Sequence, residues 1–99
     1  MSDSAFQLVK SVVEELADEL GYDGLREVSP DTPLYGGDSG VDSLSLVRFI
    51  AELEREAETR LGRRIVLADE RAMSRRNSPF RTIGSLSELV EERLVDANG

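Results

Sequence analysis

Apolar residues recur at steps of three and four positions in three separate stretches of this 99-residue chain. Such spacing brings apolar side chains onto one face of an α-helix. It predicts a first helix from about Ala5 to Leu20, a second from Ser43 to Leu61, and a last helix that begins between Ile83 and Leu86. No segment shows a convincing strand pattern. The predicted fold class is therefore all-α: a small antiparallel bundle of three main helices plus a short helical turn, with a long loop after the first helix.

The same spacing assigns the faces of the first two helices. The apolar face of the first helix comprises Phe6, Val9, Val12, Val13, Leu16 and Leu20. The apolar face of the second comprises Leu46, Val47, Ile50, Leu53, Ala57 and Leu61. The polar face of the first helix is acidic, and a solvated surface is its simplest interpretation. It holds Glu14, Glu15, Asp18 and Glu19.

Polar residues and glycines flank the three stretches where helices commonly begin and end. Ser, Thr and Asp side chains accept hydrogen bonds from the free N–H groups of a first turn, and glycine adopts the left-handed conformation that ends many helices. Gly21 and Gly62 are expected to end the first and second helices. The candidate N-caps are Ser4 with Gln7 as its capping-box partner, Asp42, and either Thr82 or Ser85, the latter with Glu88.

The segments between the helices differ in character. Residues 21–41 are rich in Gly and Pro, and a loop of this length in a small domain is usually functional or disordered. Its interspersed apolar residues favour a functional loop that packs on the helices. Residues 63–67 are expected to form a short extended piece that plugs the bundle. Residues 68–81 are polar and arginine-rich, with at most one helical turn near Asp69–Met73.

Composition excludes several classes of function. With no Cys and no His, the chain has no means of building a Cys/His zinc site, a disulfide or a His-based triad, and we do not expect an enzyme. Its net charge of −8 argues against nucleic-acid binding, which concentrates positive charge. No apolar run approaches the ~20 residues of a membrane span, and no secretory signal is recognisable. We therefore expect a single cytoplasmic domain over residues 1–99.

Ser43 is the most informative residue because it opens the second helix directly after a Gly-containing loop. Backbone N–H groups in a first helical turn lack intrahelical partners, and the helix dipole favours an anion there. A hydroxyl at this position is well placed to bear a phosphodiester. On physical grounds alone, the simpler interpretation is that Asp42 and Ser43 only cap the helix.

Other chemistries do not fit the same stretch. Gly36, Gly37 and Gly40 are not followed by the Lys and Ser/Thr of a nucleotide-binding P-loop. A calcium loop counted from Asp38 would need Glu at its twelfth position, where the chain has Phe49. The chain has neither a Gly-x-Ser-x-Gly elbow nor a histidine to activate a serine.

The string GVDSL at 40–44, opening a helix after a loop that carries DTPL at 31–34, resembles an acyl carrier protein. The resemblance extends over essentially the whole chain. It includes the acidic amphipathic first helix, Ile65 after the second helix, and TIGSLSELV at 82–90 at the start of the last helix.

This resemblance implies that Ser43 carries 4′-phosphopantetheine, transferred from coenzyme A by a phosphopantetheinyl transferase. The thiol of that arm would hold an acyl group as a thioester for acyl ligases, synthases or acyltransferases in fatty-acid, lipid or polyketide-type biosynthesis. A chain without cysteine would thus obtain its thiol from a cofactor. Asp42 would cap the helix and present the serine, and Leu44 would be recognised by the partner enzymes. The acyl chain is expected to shelter against Val47, Ile50, Ile65 and Ile83.

A second serine competes for the attachment. The run Gly36-Gly37-Asp38-Ser39 is similar to the Gly-Gly-x-Ser signature of peptidyl carrier domains. Ser39 is followed by Gly40 where a first helical turn is needed, however, whereas Ser43 opens an apolar-periodic helix. Ser43 is therefore the predicted site.

Alternatives to acyl transport remain open at this point. One is an aminoacyl or peptidyl carrier, D-alanyl carriers included, and another is an unmodified helical adaptor that binds partners through the arginine-rich 68–81 loop. The second helix also departs from the strongly acidic pattern of fatty-acid carriers at Ser45, Arg48 and Arg55. This departure favours a specialised carrier with its own cognate ligase, synthase or transferase. The Met1 start and short tails lead us to expect a free-standing protein, and a small acidic carrier is expected to be a monomer.

Overall fold

The computed structural model describes residues 3–35, 41–67 and 79–98, and these contain three α-helices. They are α1 (Asp3–Leu20), α2 (Ser43–Leu61) and α3 (Ile83–Asn98), and a 3₁₀ turn spans Asp23–Leu25 in the loop after α1. α1 packs against both α2 and α3. The all-α prediction with a long first loop is confirmed. The helical turn expected near Asp69–Met73 lies outside the described residues.

The glycine ends of the first two helices are confirmed. Gly21 has φ +83° and Gly62 has φ +65°, both left-handed. The N–H groups of Gly21 and Tyr22 both donate to the Ala17 carbonyl at 2.9 Å. At the other end of α1, the prediction that Ser4 caps a helix starting at about Ala5 was wrong. The helix already begins at Asp3, so Ser4 lies within its first turn.

The start of α3 is capped by a reciprocal pair of side chains. Thr82 Oγ1 accepts a hydrogen bond from the Ser85 N–H at 3.0 Å, and Ser85 Oγ accepts one from the Thr82 N–H at 3.1 Å. Thr82 is therefore the cap, and Ser85 is its capping-box partner rather than an alternative start.

The core is one cluster to which all three helices contribute. On α2 the buried face includes Phe49, fully buried but absent from the predicted face, whereas Val47 is 61% exposed. Phe49 lies three residues after Leu46 and four before Leu53, which places it in the same helical row. Val47 lies outside that row.

The loop after α1 runs alongside the start of α3. Pro33 and Thr82 form an isolated antiparallel bridge. Four backbone hydrogen bonds join the segments: Leu34 N–H to Arg81 O at 2.7 Å, Tyr35 N–H to Phe80 O at 3.1 Å, Ile83 N–H to Thr32 O at 2.9 Å and Gly84 N–H to Pro30 O at 2.8 Å. With Leu25, Val28 and Leu34 buried, the loop packs on the helices as predicted.

Glu14 departs from the expected solvated face of α1. Its Oε2 accepts hydrogen bonds from Lys10 Nζ at 2.6 Å and from the Val28 N–H at 3.1 Å, so it ties the loop to the helix. The bond from Lys10, followed by that from Val28, holds the pKa of the Glu14 carboxyl below its usual value against the opposing effect of burial. Glu15, Asp18 and Glu19 are exposed, as expected.

Candidate functional site at the start of helix α2

Asp42 caps α2, as the sequence predicts. Its backbone is extended (φ −88°, ψ 172°), and its Oδ1 accepts a hydrogen bond from the Ser45 N–H at 2.8 Å. The Asp42 carbonyl accepts the first helical hydrogen bond, from the Leu46 N–H at 3.0 Å. Hydrogen bonds from the backbone N–H and then the hydroxyl of Ser45, with a smaller one from the Leu44 N–H, hold the pKa of the Asp42 carboxyl below its usual value. The cap is therefore ionised at neutral pH.

Ser43 is the first residue of α2 and is exposed. Its hydroxyl has no hydrogen-bond partner among residues 3–35, 41–67 and 79–98. Val41, two residues earlier, is buried and anchors the chain as it enters the helix. The serine is thus held on a fixed backbone while its oxygen remains accessible to another protein.

Two large apolar side chains are exposed beside Ser43. Leu44 is 79% exposed and Val47 is 61% exposed. They are three positions apart, so both lie on the same side of the helix. An exposed apolar pair next to a reactive position is suited to contact a partner protein.

Tyr22 reaches the same region from the end of α1. Its hydroxyl lies 2.7 Å from Ser45 Oγ, and its ring centroid lies 6.4 Å from that of Phe49. Sequence reasoning missed Tyr22, because no local pattern relates a loop tyrosine to a serine on another helix. The only available signal was the amphipathic side chain of Tyr22, an apolar ring with a polar hydroxyl, directly after the glycine that ends α1.

The acidic residues farther along α2 are engaged within the molecule. Glu54 Oε2 accepts a hydrogen bond from the Leu67 N–H at 2.8 Å and so fixes the 63–67 segment. The ion pairs are Arg48 with Glu19 at 3.5 Å, Arg55 with Glu52 at 3.7 Å, Arg60 with Glu56 at 2.6 Å and Arg64 with Glu58 at 3.5 Å. The exposed face of α2 therefore carries arginines next to its acids rather than a continuous acidic strip.

The residues expected to shelter an acyl chain are only partly together. Ile50, Ile65 and Ile83 are buried in the same core cluster. Val47 is not among them, since it lies on the exposed side with Leu44. The rival Ser39 and most of the arginine-rich 68–81 segment lie outside the described residues.

In the described parts of the chain, no group of three or more acidic, His or Cys side chains is arranged to hold a metal ion. None of the helices there combines the length and apolar character that crossing a membrane requires.

The start of α2 fits a covalently attached phosphate ester. The Ser43 hydroxyl is exposed and without a partner among the described residues, and it stands at the positive end of a 19-residue helix, where a phosphodiester is stabilised. The Asp42 carboxylate already accepts the Ser45 N–H at this end of the helix.

Comparison with known protein families gives one match. Residues 10–71 match the model of a protein family described as the phosphopantetheine attachment site. The matched region covers more than half of the chain and includes all of α2. No curated protein and no solved structure matches the chain. The chain therefore belongs to the phosphopantetheine attachment family, and it is a non-catalytic carrier protein whose cofactor is phosphopantetheine.

Proposed function

We propose that Ser43 is the residue that bears 4′-phosphopantetheine and that the chain carries an acyl group to biosynthetic enzymes. The observation that supports this most directly is the exposed hydroxyl of Ser43 at the first residue of a capped helix, within the matched region. In this proposal Asp42 fixes the start of the helix, and Leu44 is part of the surface that partner enzymes contact.

The attachment needs only an accessible oxygen from this chain. Ser43 Oγ forms a bond to the phosphorus that bears the pantetheine arm of coenzyme A, the pyrophosphate bond breaks, and adenosine 3′,5′-bisphosphate leaves with the electron pair. In this proposal the serine proton passes to a base supplied by the transferase. When bound, the group supplies the thiol that holds the cargo as a thioester.

The exposed apolar pair supports a docking role for the start of α2. Leu44 and Val47 lie on one side of the helix and bury little of their surface in this chain. A transferase or an acyl-handling enzyme that covers them removes apolar surface from water, which favours association. Arg48 follows Val47 directly, and Arg55 lies about two turns farther along α2. Their presence on this helix supports a specialised set of partners rather than those of housekeeping fatty-acid synthesis.

An acyl cargo is proposed over an aminoacyl one because Asp42 precedes the serine and DTPL stands at 31–34, the features that resemble acyl carriers. The same proposal includes transport within fatty-acid, lipid or polyketide-type biosynthesis, a monomeric carrier and a cytoplasmic location.

The attachment site is tested by intact-mass spectrometry. The apo protein is incubated with coenzyme A, magnesium and a promiscuous phosphopantetheinyl transferase, and the modified residue is mapped by fragmentation. We expect one phosphopantetheine mass on the wild type and none on Ser43→Ala. Ser4→Ala is a matched control, since Ser4 is also an exposed serine in a first helical turn but lies outside the matched region.

The rival serine is tested in the same assay. Ser39→Ala is expected to be modified like the wild type. Loss of modification in Ser39→Ala with retention in Ser43→Ala would reject the site and leave the carrier role intact.

The cargo is tested on protein isolated from its own cells. Fragmentation of the Ser43 peptide releases the arm with its load, and the mass of the released ion identifies the attached group. We expect an acyl group without nitrogen. An amino acid on the arm would replace the acyl proposal with an aminoacyl carrier.

A further inference from the structure

We propose that the groove between the end of α1 and the loop that follows it binds the phosphopantetheine arm, which lies along Tyr22, Leu25 and Pro33 while no partner enzyme holds it. The inference rests on the proposed function, because it takes Ser43 as the attachment site. It concerns the arm itself rather than the cargo on the thiol.

The groove is an open cavity of about 300 Å³ beside the 3₁₀ turn. Residues 21–25 line one side of it, and Thr32 and Pro33 line the other. Small-ligand sites have volumes of about 300–1,000 Å³, so this groove suits a narrow ligand rather than a bulky one.

Both sides of the groove are held by contacts within the protein. On one side the Tyr22 N–H donates to the Ala17 carbonyl at 2.9 Å, and the Leu25 N–H donates to the Tyr22 carbonyl at 3.0 Å. On the other side the Thr32 carbonyl accepts the Ile83 N–H at 2.9 Å. The groove therefore exists before any ligand binds, and binding requires little further ordering of the chain.

The groove lies within reach of an arm attached to Ser43. Tyr22, which lines it, has its hydroxyl 2.7 Å from the Oγ of Ser45, two residues after Ser43. With ordinary bond lengths and helical spacing, the Tyr22 hydroxyl lies within about 11 Å of the Ser43 Cα. An extended phosphopantetheine arm is about as long as five residues of extended chain, roughly 17 Å. The arm can therefore pass the Tyr22 hydroxyl and continue into the groove.

The chemical character of the groove fits the pantetheine part of the arm, which carries a geminal dimethyl group and two amides. The half-buried Tyr22 ring, the buried Leu25 and the Pro33 ring offer apolar contacts to the methyl groups. Gly21 and Gly24 present backbone without a side chain, and no donor in residues 3–35, 41–67 or 79–98 hydrogen-bonds to their carbonyls. These carbonyls are acceptors for the amide N–H groups of the arm.

Tethering makes weak binding sufficient. A group on a short flexible linker has a millimolar effective concentration at a site that the linker can span. A groove that binds free pantetheine with a millimolar Kd is then occupied for a large part of the time. The arm still leaves readily when a partner enzyme binds it more tightly.

The main experiment measures the mobility of the arm by NMR. The protein is modified from coenzyme A labelled with ¹⁵N in its two pantetheine amides, and their heteronuclear NOE reports motion on the picosecond to nanosecond timescale. In the wild type we expect values well above those of a flexible chain. In Gly24→Leu we expect those of a flexible chain, because a Cβ at this position in the groove enters open space and the leucine competes with the arm.

Two further variants are matched controls. Gln7→Leu adds the same side chain at an exposed position of α1 that does not line the groove, and its arm should be as ordered as that of the wild type. Gly24→Ala adds one methyl group and should give an intermediate NOE. The amide spectrum of each variant verifies that it is folded.

A second experiment tests the groove without the attachment. Free pantetheine is titrated into Ser43→Ala, up to about tenfold the millimolar effective concentration of a tethered arm. We expect the amide signals of Gly21, Gly24 and Thr32 to shift. The same addition to a Ser43→Ala/Gly24→Leu double variant should leave the signals of Gly21 and Thr32 unshifted.

Two results would overturn the inference. One is an arm as mobile in the wild type as in Gly24→Leu, and the other is a Ser43→Ala variant whose groove amides do not respond to free pantetheine. Failure of the proposed function looks different. In that case the wild type is not modified at Ser43, while the titration of Ser43→Ala still shows whether the groove binds pantetheine.

Discussion

The starts of α2 and α3 are built on the same local plan and are used differently. Each has a side-chain oxygen that accepts the N–H of a serine three residues later, at 2.8 Å from Asp42 to Ser45 and at 3.0 Å from Thr82 to Ser85. Both caps satisfy donors that a helix start leaves free. What lies between cap and serine differs completely.

At α3 the two intervening residues face other parts of the protein. Ile83 is fully buried, and the N–H groups of Ile83 and Gly84 donate to the loop carbonyls of Thr32 and Pro30. At α2 the equivalent residues, Ser43 and Leu44, are exposed. No backbone carbonyl within the described ranges accepts their N–H groups. Caps of the same plan therefore leave the start of α3 covered and the start of α2 exposed, because the loop after α1 packs against α3.

The largest loss of stability is expected from disrupting the contact between the start of α3 and the loop after α1. A Cβ at position 84 would lie 2.8 Å from Pro30 O and 3.2 Å from Pro30 Cβ, so Gly84→Ala forces the loop away from the helix. We expect the free energy of unfolding to fall by about 2 kcal/mol, as in other overpacked sites. Urea denaturation measures it.

A matched glycine sharpens this prediction. Gly24 lies in the 3₁₀ turn, and a Cβ built there has no heavy atom within 4 Å. Gly24→Ala is therefore expected to be neutral or slightly stabilising. Equal losses of unfolding free energy in the two variants would mean that the close approach of Gly84 to Pro30 does not stabilise the contact between the loop and α3.

Removing each cap compares the two starts directly. Thr82→Ala leaves the part-buried Ser85 N–H without its acceptor, and we expect a loss of about 1 kcal/mol, the usual cost of a lost cap. Asp42→Ala should cost less stability, since that cap is exposed, but should slow attachment at Ser43. Thr82→Ser, which keeps the hydroxyl, is the control for the first. Faster phosphopantetheine attachment in Asp42→Ala than in the wild type would contradict the proposal that this cap helps to present Ser43.

The smallest expected effect is a difference in pH dependence between the Asp42 cap and the Thr82 cap. The folded pKa of Asp42 is lowered, so its capping contribution is complete above the unfolded pKa and is lost as the pH falls through the folded pKa. The Thr82 hydroxyl does not titrate in this range. The NMR chemical shift of the Ser45 amide should therefore change with acidification, and that of the Ser85 amide should not. Both are measured in the Glu88→Gln variant, which lacks the carboxyl near Ser85. Equal changes at both amides would refute the distinction.

Much of this arrangement was predictable from local sequence. The spacing of apolar residues located the three helices of the described residues, and Gly21, Gly62 and Asp42 marked ends that the structure confirms. The sequence left the cap of the last helix open between Thr82 and Ser85, and the structure identifies Thr82. These features depend on neighbours within one or two turns, where sequence and geometry are tightly linked. Ser4 is the exception, because α1 begins one residue before it.

The misses share a different cause. The burial of Phe49, the exposure of Val47 and the bond between Glu14 and the Val28 N–H each depend on which elements face one another. The contact between Tyr22 and Ser45 joins positions 23 residues apart. The periodicity of apolar residues along one helix does not predict contacts between side chains so far apart in the sequence.

By itself, the sequence determined the three amphipathic helices found in the described parts of the chain and the capped serine that opens the second. It also determined that no cysteine or histidine is present to supply a reactive group. Only the tertiary structure decided that the start of α2 stays open while the start of α3 is covered. Capping is a short-range interaction set by side chains three residues apart, whereas burial depends on contacts between distant segments, such as those of the loop at 30–35 with the start of α3.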